Sequence, residues 1–405
     1  MQKQKRQQLT GLLIFGMVFL TFVFALHGSL LTRVIQQYDL RNSVTGFPSA
    51  ASSAGGFIAL ISSLILNGRV SKLSLLKFGV GLCAAFLFLL PITSNFWLFV
   101  LFWAVIGIGL GYMDTLLSAC MADLYQGDAV RRMMCILHLT YGLAFVAAPV
   151  VYASCLTRLD ASAVAWNRLY LIVAAAGILL LGLLLAATGK VRESGKSADA
   201  IEEKISRALV KKLLGLGKGL LPRLMAAMLL HGVFLSSMST WINRYEEVTL
   251  QKTEGIYALS FLFLGVMLSR LIMSFSKIST DSYIRVAGIA AFAAVIWMLF
   301  SPNAWMMYAA LSVCGLFFGA MIPCMLTVSS ACAPSHPMLV TTLMMLAFYL
   351  GQVIGPALTG ALEAAASLQI GIGVSGMCIG LASVCCITAR PGSSGTGEEM
   401  QTPIA

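Results

Sequence analysis

The 405-residue chain is 59% hydrophobic and only 11% charged, with a mean hydropathy of +0.89, which excludes a water-soluble fold of this length. Its net charge of +11 is accounted for by cations gathered on one face of a membrane beside anionic lipid, so no nucleic-acid partner is called for. The ten cysteines are scattered singly through apolar sequence, apart from Cys385 and Cys386, and predict packing residues rather than disulfides.

Apolar runs long enough to cross a hydrocarbon core of roughly 30 Å as helices recur along nearly the whole chain. Helix is the expected state because lipid offers no partner for backbone polar groups, and the runs lack the strict alternation of barrel strands. Twelve spans are predicted: 10–33, 43–66, 75–92, 96–122, 132–155, 166–188, 222–245, 255–276, 283–300, 304–331, 338–362 and 368–389. Span one follows Lys3, Lys5 and Arg6, and its apolar stretch is too long for a signal-peptide core, so it reads as a retained helix.

The loop after span two carries Arg69, Lys72 and Lys77, and that after span four Arg131 and Arg132. With the basic start, these cations put both termini on the cytoplasmic side of the cell (inner) membrane. Span four holds the run Gly107-Ile-Gly-Leu-Gly-Tyr-Met-Asp114-Thr115, and Asp114 reads as the sole carboxylate inside an apolar segment. An acid at bilayer depth is costly and marks an ion or substrate site by default. Gly107, Gly111, Asp114 and Ser118 share one helix face, so Asp114 lies on a small-residue stripe that a neighbouring helix or a cavity can approach. The competing role is structural, as partner of a buried cation.

Residues 189–221 are polar and divide the chain into halves of six spans, 1–188 and 222–390. Lys204, Arg207, Lys211 and Lys212, interleaved with leucines and isoleucine, fit either an amphipathic surface helix or a solvated linker. The tail 391–405 is rich in Gly, Ser, Thr and Glu and reads as disordered. Weak repetition supports the division: Leu26-His27-Gly28 is echoed by Leu230-His231-Gly232, and Gly107 and Gly111 by Gly315 and Gly319, at offsets of 204 to 208 residues. Parallel repeats of this kind place a site at their midplane interface.

His27, His138 and His231 fall in spans one, five and seven, where imidazole can change charge or hydrogen-bond a hydroxylated ligand. Packing is the competing role for each. Tyr141, Trp241, Asn243, Tyr245, Tyr349 and Gln352 are candidates to supply hydrogen bonds and aromatic faces to a polar solute, or to anchor the helices at the interface. No paired metal-ligand spacing, nucleotide loop or activated nucleophile stands in the sequence, so no enzyme, metal or cofactor is predicted.

Taken together, Gln36-Gln37 before Gly46, Ser71-Lys72-Leu73-Ser74, the span-four run to Thr115, and Leu137-His138-Leu139-Thr140-Tyr141-Gly142 with Pro149 resemble the major facilitator superfamily. Within it they resemble the fucose permease-like sugar symporters. The resemblance implies an all-α membrane protein of twelve helices in two halves that takes up a sugar with protons, as a monomer. It implies a proton-coupling role for Asp114, with His27 as a second titrating group, because the family's span-one acid aligns with Gly28. A span-seven glutamate common in relatives aligns with Leu235. It further implies a gating role for Gly68, Arg69 and Lys72, although the loop lacks the family's acid, and for Arg270 near the end of span eight. Alternatives are an efflux antiporter of drugs or metabolites and a transport-inactive membrane sensor.

Overall fold

The computed structural model describes residues 3–388 apart from 67–68, 127, 162–165, 189–218, 252–256 and 333–336. The linker reading, Gly68 and the tail therefore lie outside the described residues. Among the described residues, twelve helical segments are long and apolar enough to span a membrane. Their bounds follow the sequence closely, with differences at the ends. Span five runs Asp128–Ala161, span seven Leu220–Leu250 and span eleven Pro337–Ala365.

Glycines set how closely the helices pack. A Cβ on Gly107 would collide with the Ser52 carbonyl of span two, and one on Gly55 with the Ala104 carbonyl of span four. The second half repeats the device, with Gly315 against the Leu262 carbonyl of span eight and Gly265 against the Ser312 carbonyl of span ten. Gly107 and Gly315 are the pair whose spacing suggested a repeat, so the internal echo reflects matching backbone-to-backbone helix contacts.

Span ten departs from its counterpart. It is broken into Ala304–Phe318 and Met321–Cys332, with the chain turning at Gly319 and Ala320. The backbone groups freed by the break are taken up by span eight: the Ala320 N–H donates to Ser269 Oγ at 3.1 Å, and Arg270 Nε donates to the Gly319 carbonyl at 3.2 Å.

The halves meet through spans one and seven, two and eleven, and five and eight. On the face where span one ends, the joint is tight. The Gly28 Cα faces the Ser239 carbonyl, and Gly46 faces the Pro356 carbonyl, each too close for a side chain. Thr240 donates to Ser49 Oγ at 2.8 Å, and the Thr32 hydroxyl donates to the Glu247 carboxylate. Deeper in, Phe145 and Phe263 stack at 3.8 Å with planes 11° apart.

Asp114 is not the sole acid within the spans. Because span seven continues five residues past its expected end, it carries Glu246, which is completely buried. Its Oε2 accepts from the N–H groups of Tyr257 and Ala258, both at 2.9 Å, at the start of span eight, and Oε1 accepts from the Tyr308 hydroxyl. A carboxylate is well placed there, since the first N–H groups of a helix have no partner within it. Glu246→Ala strands those donors, and each hydrogen bond to a charged group is worth about 1.5–3 kcal/mol. We expect a lower unfolding temperature in detergent; unchanged thermal stability would contradict a structural role.

Candidate functional site

A cavity of about 280 Å³ lies between the halves, bordered by spans one, two, four, five, seven, eight, ten and eleven. Of the residues singled out in the sequence, His27, Asp114, His138, Tyr141, Tyr349, Gln352 and Arg270 line it. Asp114 is partly exposed to it and sits ten residues from the Leu124 end of span four, roughly 15 Å along the axis. Its Oδ2 accepts a hydrogen bond from the Tyr349 hydroxyl at 3.3 Å. That bond crosses between the halves. Tyr349 reaches it because Gly56 leaves room for its ring, at 2.5 Å from where a Cβ would stand.

His27 lies in span one against Trp103, with ring centroids 3.8 Å apart. Its Nε2 is buried and has no hydrogen-bond partner among the described residues. The imidazole borders both the main cavity and a small void of about 10 Å³ shared with Thr45, Ser49, Tyr170 and Thr240. Gly28, aligned with the family's span-one acid, has no room for a side chain because span seven lies against it. Leu235, aligned with the family's span-seven glutamate, does line the cavity.

Across the cavity stands Arg270, partly buried in span eight. Its guanidinium lies 5.8 Å from the centre of the Tyr141 ring, and among the described residues its one hydrogen bond is from Nε to the Gly319 carbonyl. It makes no ion pair with a described carboxylate, Asp114 included.

Three expected solute contacts fall elsewhere. His231 is 1% exposed and packs edge-on against Phe318. Trp241 is fully buried and donates Nε1–H to the Pro356 carbonyl at 3.1 Å, and Asn243 Oδ1 accepts from the Leu259 N–H at 2.9 Å. These hydrogen bonds tie span seven to spans eleven and eight, and none of the three borders the cavity. Tyr245, also buried, reaches the Leu299 carbonyl at 3.5 Å.

Of the loop residues, Lys72 pairs with Asp123 at 2.8 Å, so the loop's charge partner comes from the end of span four in the same half; Arg69 is exposed. Among the described residues, no group of three His, Cys, Asp or Glu side chains is placed to hold a metal ion.

The sequence reading missed the hydroxyl wall. Ser49, Ser52 and Ser53 of span two and Ser236, Ser239 and Thr240 of span seven border the cavity. Each triplet is spaced i, i+3, i+4, the pattern that puts residues on one helix face, so the signal was present in the chain.

The Major Facilitator Superfamily model matches residues 13–285. The chain belongs to the major facilitator superfamily. It is therefore a multi-pass membrane protein of a transporter family. Its fold is similar to that of a bacterial homologue of the human lysosomal transporter Spinster in an inward-facing, unoccupied conformation, at 15% identity and TM-score 0.75, covering 97% of this chain and 100% of that one. It is also similar to the nucleoside transporter NupG, at 13% identity and TM-score 0.73 over 95% of this chain and 99% of that one. A peptide transporter in complex with alafosfalin matches at 14% identity and TM-score 0.70, over 94% of this chain and 93% of that one. No curated protein sequence matches the chain.

Removing only the hydroxyl of Tyr349 tests the bond between the halves. Tyr349→Phe keeps the ring in its slot and leaves the Asp114 carboxyl without that donor, a loss of about 1–3 kcal/mol if the site stays dry. We expect solute transport to fall about tenfold or more while the protein folds normally. Transport kinetics equal to wild type would mean that the Tyr349 hydroxyl plays no part in transport.

Proposed function

We propose that the chain is a secondary transporter that takes up a small hydroxylated solute, a sugar or a compound like it, together with a proton. The single observation that carries this reading is Asp114: a carboxyl on the wall of the central cavity, hydrogen-bonded through Tyr349 to the opposite half. A change in its protonation alters a contact that the two halves share, which is what coupling to alternating access requires. The hydroxyl triplets of spans two and seven, with His27, His138, Tyr141 and Gln352, offer hydrogen-bond partners around a space near the small end of ligand pockets. The cation bias places both termini, and the face opposite the tight joint, in the cytoplasm of a cell whose inner membrane the chain spans. The two halves, 1–188 and 222–390, then rock about the cavity, with the protein working as a monomer.

Uptake of radiolabelled monosaccharides into proteoliposomes under an inward pH gradient tests the proposal. Accumulation above the outside concentration supports it, and its absence for every solute tried defeats it. Efflux of amphipathic compounds is the second reading, favoured by Phe24, Phe145, Phe263 and Phe348 on the cavity wall. It requires accumulation of an amphipathic dye against its gradient from the opposite side.

A further inference from the structure

We propose that the transported solute carries one anionic group, a carboxylate or its equivalent, and that Arg270 binds it. This rests on the reading of the cavity as a transport site for a hydroxylated solute. A guanidinium at membrane depth is normally paired with an acid or with backbone carbonyls. Here one nitrogen, Nε, is spent on the Gly319 carbonyl, and the guanidinium carbon stands over the Tyr141 ring. Its two terminal nitrogens are left without an acid, since no described carboxylate forms an ion pair with it. The guanidinium fork matches a carboxylate bidentately, so the ligand that completes this site is an anion.

Charge balance ties the anion to the proton. The titratable or charged side chains on the cavity wall are His27 of span one, Asp114 of span four, His138 and Tyr141 of span five, Arg270 of span eight and Tyr349 of span eleven. With the imidazoles and phenols neutral, an ionised Asp114 cancels the charge of Arg270, and an entering anion meets no net attraction. A proton on Asp114 leaves Arg270 as the uncompensated charge, and a monoanion then restores neutrality. Proton and anion therefore favour each other's binding, and the doubly loaded cavity carries no net charge across the membrane. With Asp114 protonated, a neutral sugar would leave the charge of Arg270 uncompensated. The hydroxyl triplets of spans two and seven serve the uncharged part of the same solute.

Three probes separate the charge requirement from the hydroxyl requirement: D-glucuronate, D-glucose and butyrate, each titrated at acid pH against the full-length purified protein by calorimetry. We expect D-glucuronate to bind at least tenfold more tightly than either of the others, because a charge-assisted hydrogen bond is lost with D-glucose and the hydroxyl contacts with butyrate. Arg270→Gln should weaken D-glucuronate tenfold to a hundredfold, by a far larger factor than it weakens D-glucose, and Arg270→Lys should restore part of the difference. Equal binding of D-glucose and D-glucuronate overturns the anion proposal and leaves the hydroxylated-solute reading standing. Butyrate binding as tightly as D-glucuronate, with D-glucose failing, overturns the hydroxylated-solute reading and leaves the anion site standing. Failure of all three overturns both. In wild-type proteoliposomes, D-glucuronate uptake driven by a pH gradient should be indifferent to an imposed membrane potential; uptake that follows the potential overturns the one-to-one pairing of proton and anion.

Discussion

Asp114→Asn is expected to abolish accumulation driven by a pH gradient while leaving solute exchange across the membrane in place. The amide has the same size as the carboxyl and still offers Tyr349 an oxygen, so the hydrogen bond at 3.3 Å has a substitute acceptor. It cannot take up or release a proton. Each pH unit stores about 1.4 kcal/mol per proton, enough for tenfold accumulation of a solute moved with one proton. A gradient of two units should therefore drive roughly hundredfold accumulation in the wild type and none beyond equality in the variant. Counterflow, in which labelled solute exchanges for unlabelled solute at equal pH, distinguishes a lost proton site from a lost protein. Full accumulation by the variant would mean that coupling lies elsewhere; loss of counterflow as well would mean that the carboxylate is needed to hold the cavity together.

The second large effect concerns the tight joint at the end of span one. Gly28→Ala and Gly46→Ala each place a methyl group against a backbone carbonyl of the opposite half, that of Ser239 or Pro356. Backbone gives way less readily than a side-chain tip, and overpacking of this kind costs about 1–3 kcal/mol. The penalty applies to the conformation in which these faces touch, and a conformation that parts them escapes it. The population should therefore shift by roughly 5- to 150-fold toward a state open at this face. Hydrogen exchange should speed up in residues 42–49 and 239–250, with unchanged protection in the helix pairs packed within each half. If only the unfolding temperature falls, the glycines serve packing and not the conformational equilibrium.

The sequence made most of this fold legible because the bilayer imposes one strong rule, about twenty apolar residues per crossing, and the chain follows it twelve times. Ends were less legible. Span seven was expected to end at 245, which left Glu246 and Glu247 outside it; in the structure Glu246 is buried, with the N–H groups that open span eight and the Tyr308 hydroxyl as its partners. Hydropathy counts a charge as a cost and has no term for partners that come from other spans.

The site was legible in part for a related reason. Asp114, His27, Tyr141, Tyr349 and Gln352 stood out as polar residues in apolar runs, and they do line the cavity. Trp241 and Asn243 stood out equally, yet their polar atoms are consumed by the Pro356 carbonyl and the Leu259 N–H. Which way a polar side chain faces on a helix depends on neighbours that lie more than a hundred residues away, as Pro356 does from Trp241. Arg270 drew attention as a cation near the end of its span, and the break in span ten was marked by Pro323, which has no N–H to give the Gly319 carbonyl four residues before it; that Arg270 would take up this carbonyl was not legible.

The break also makes the two repeats mechanically unequal. Span four runs unbroken from Phe96 to Leu124, whereas its partner in the second half is interrupted at Gly319 and Ala320, where Ser269 and Arg270 of span eight hold the freed backbone groups. One arm of the molecule is thus a rigid strut and the other a jointed one. Ile322 and Leu326, on the far piece of the jointed arm, belong to the cavity wall, so the vestibule has one stiff side and one compliant side.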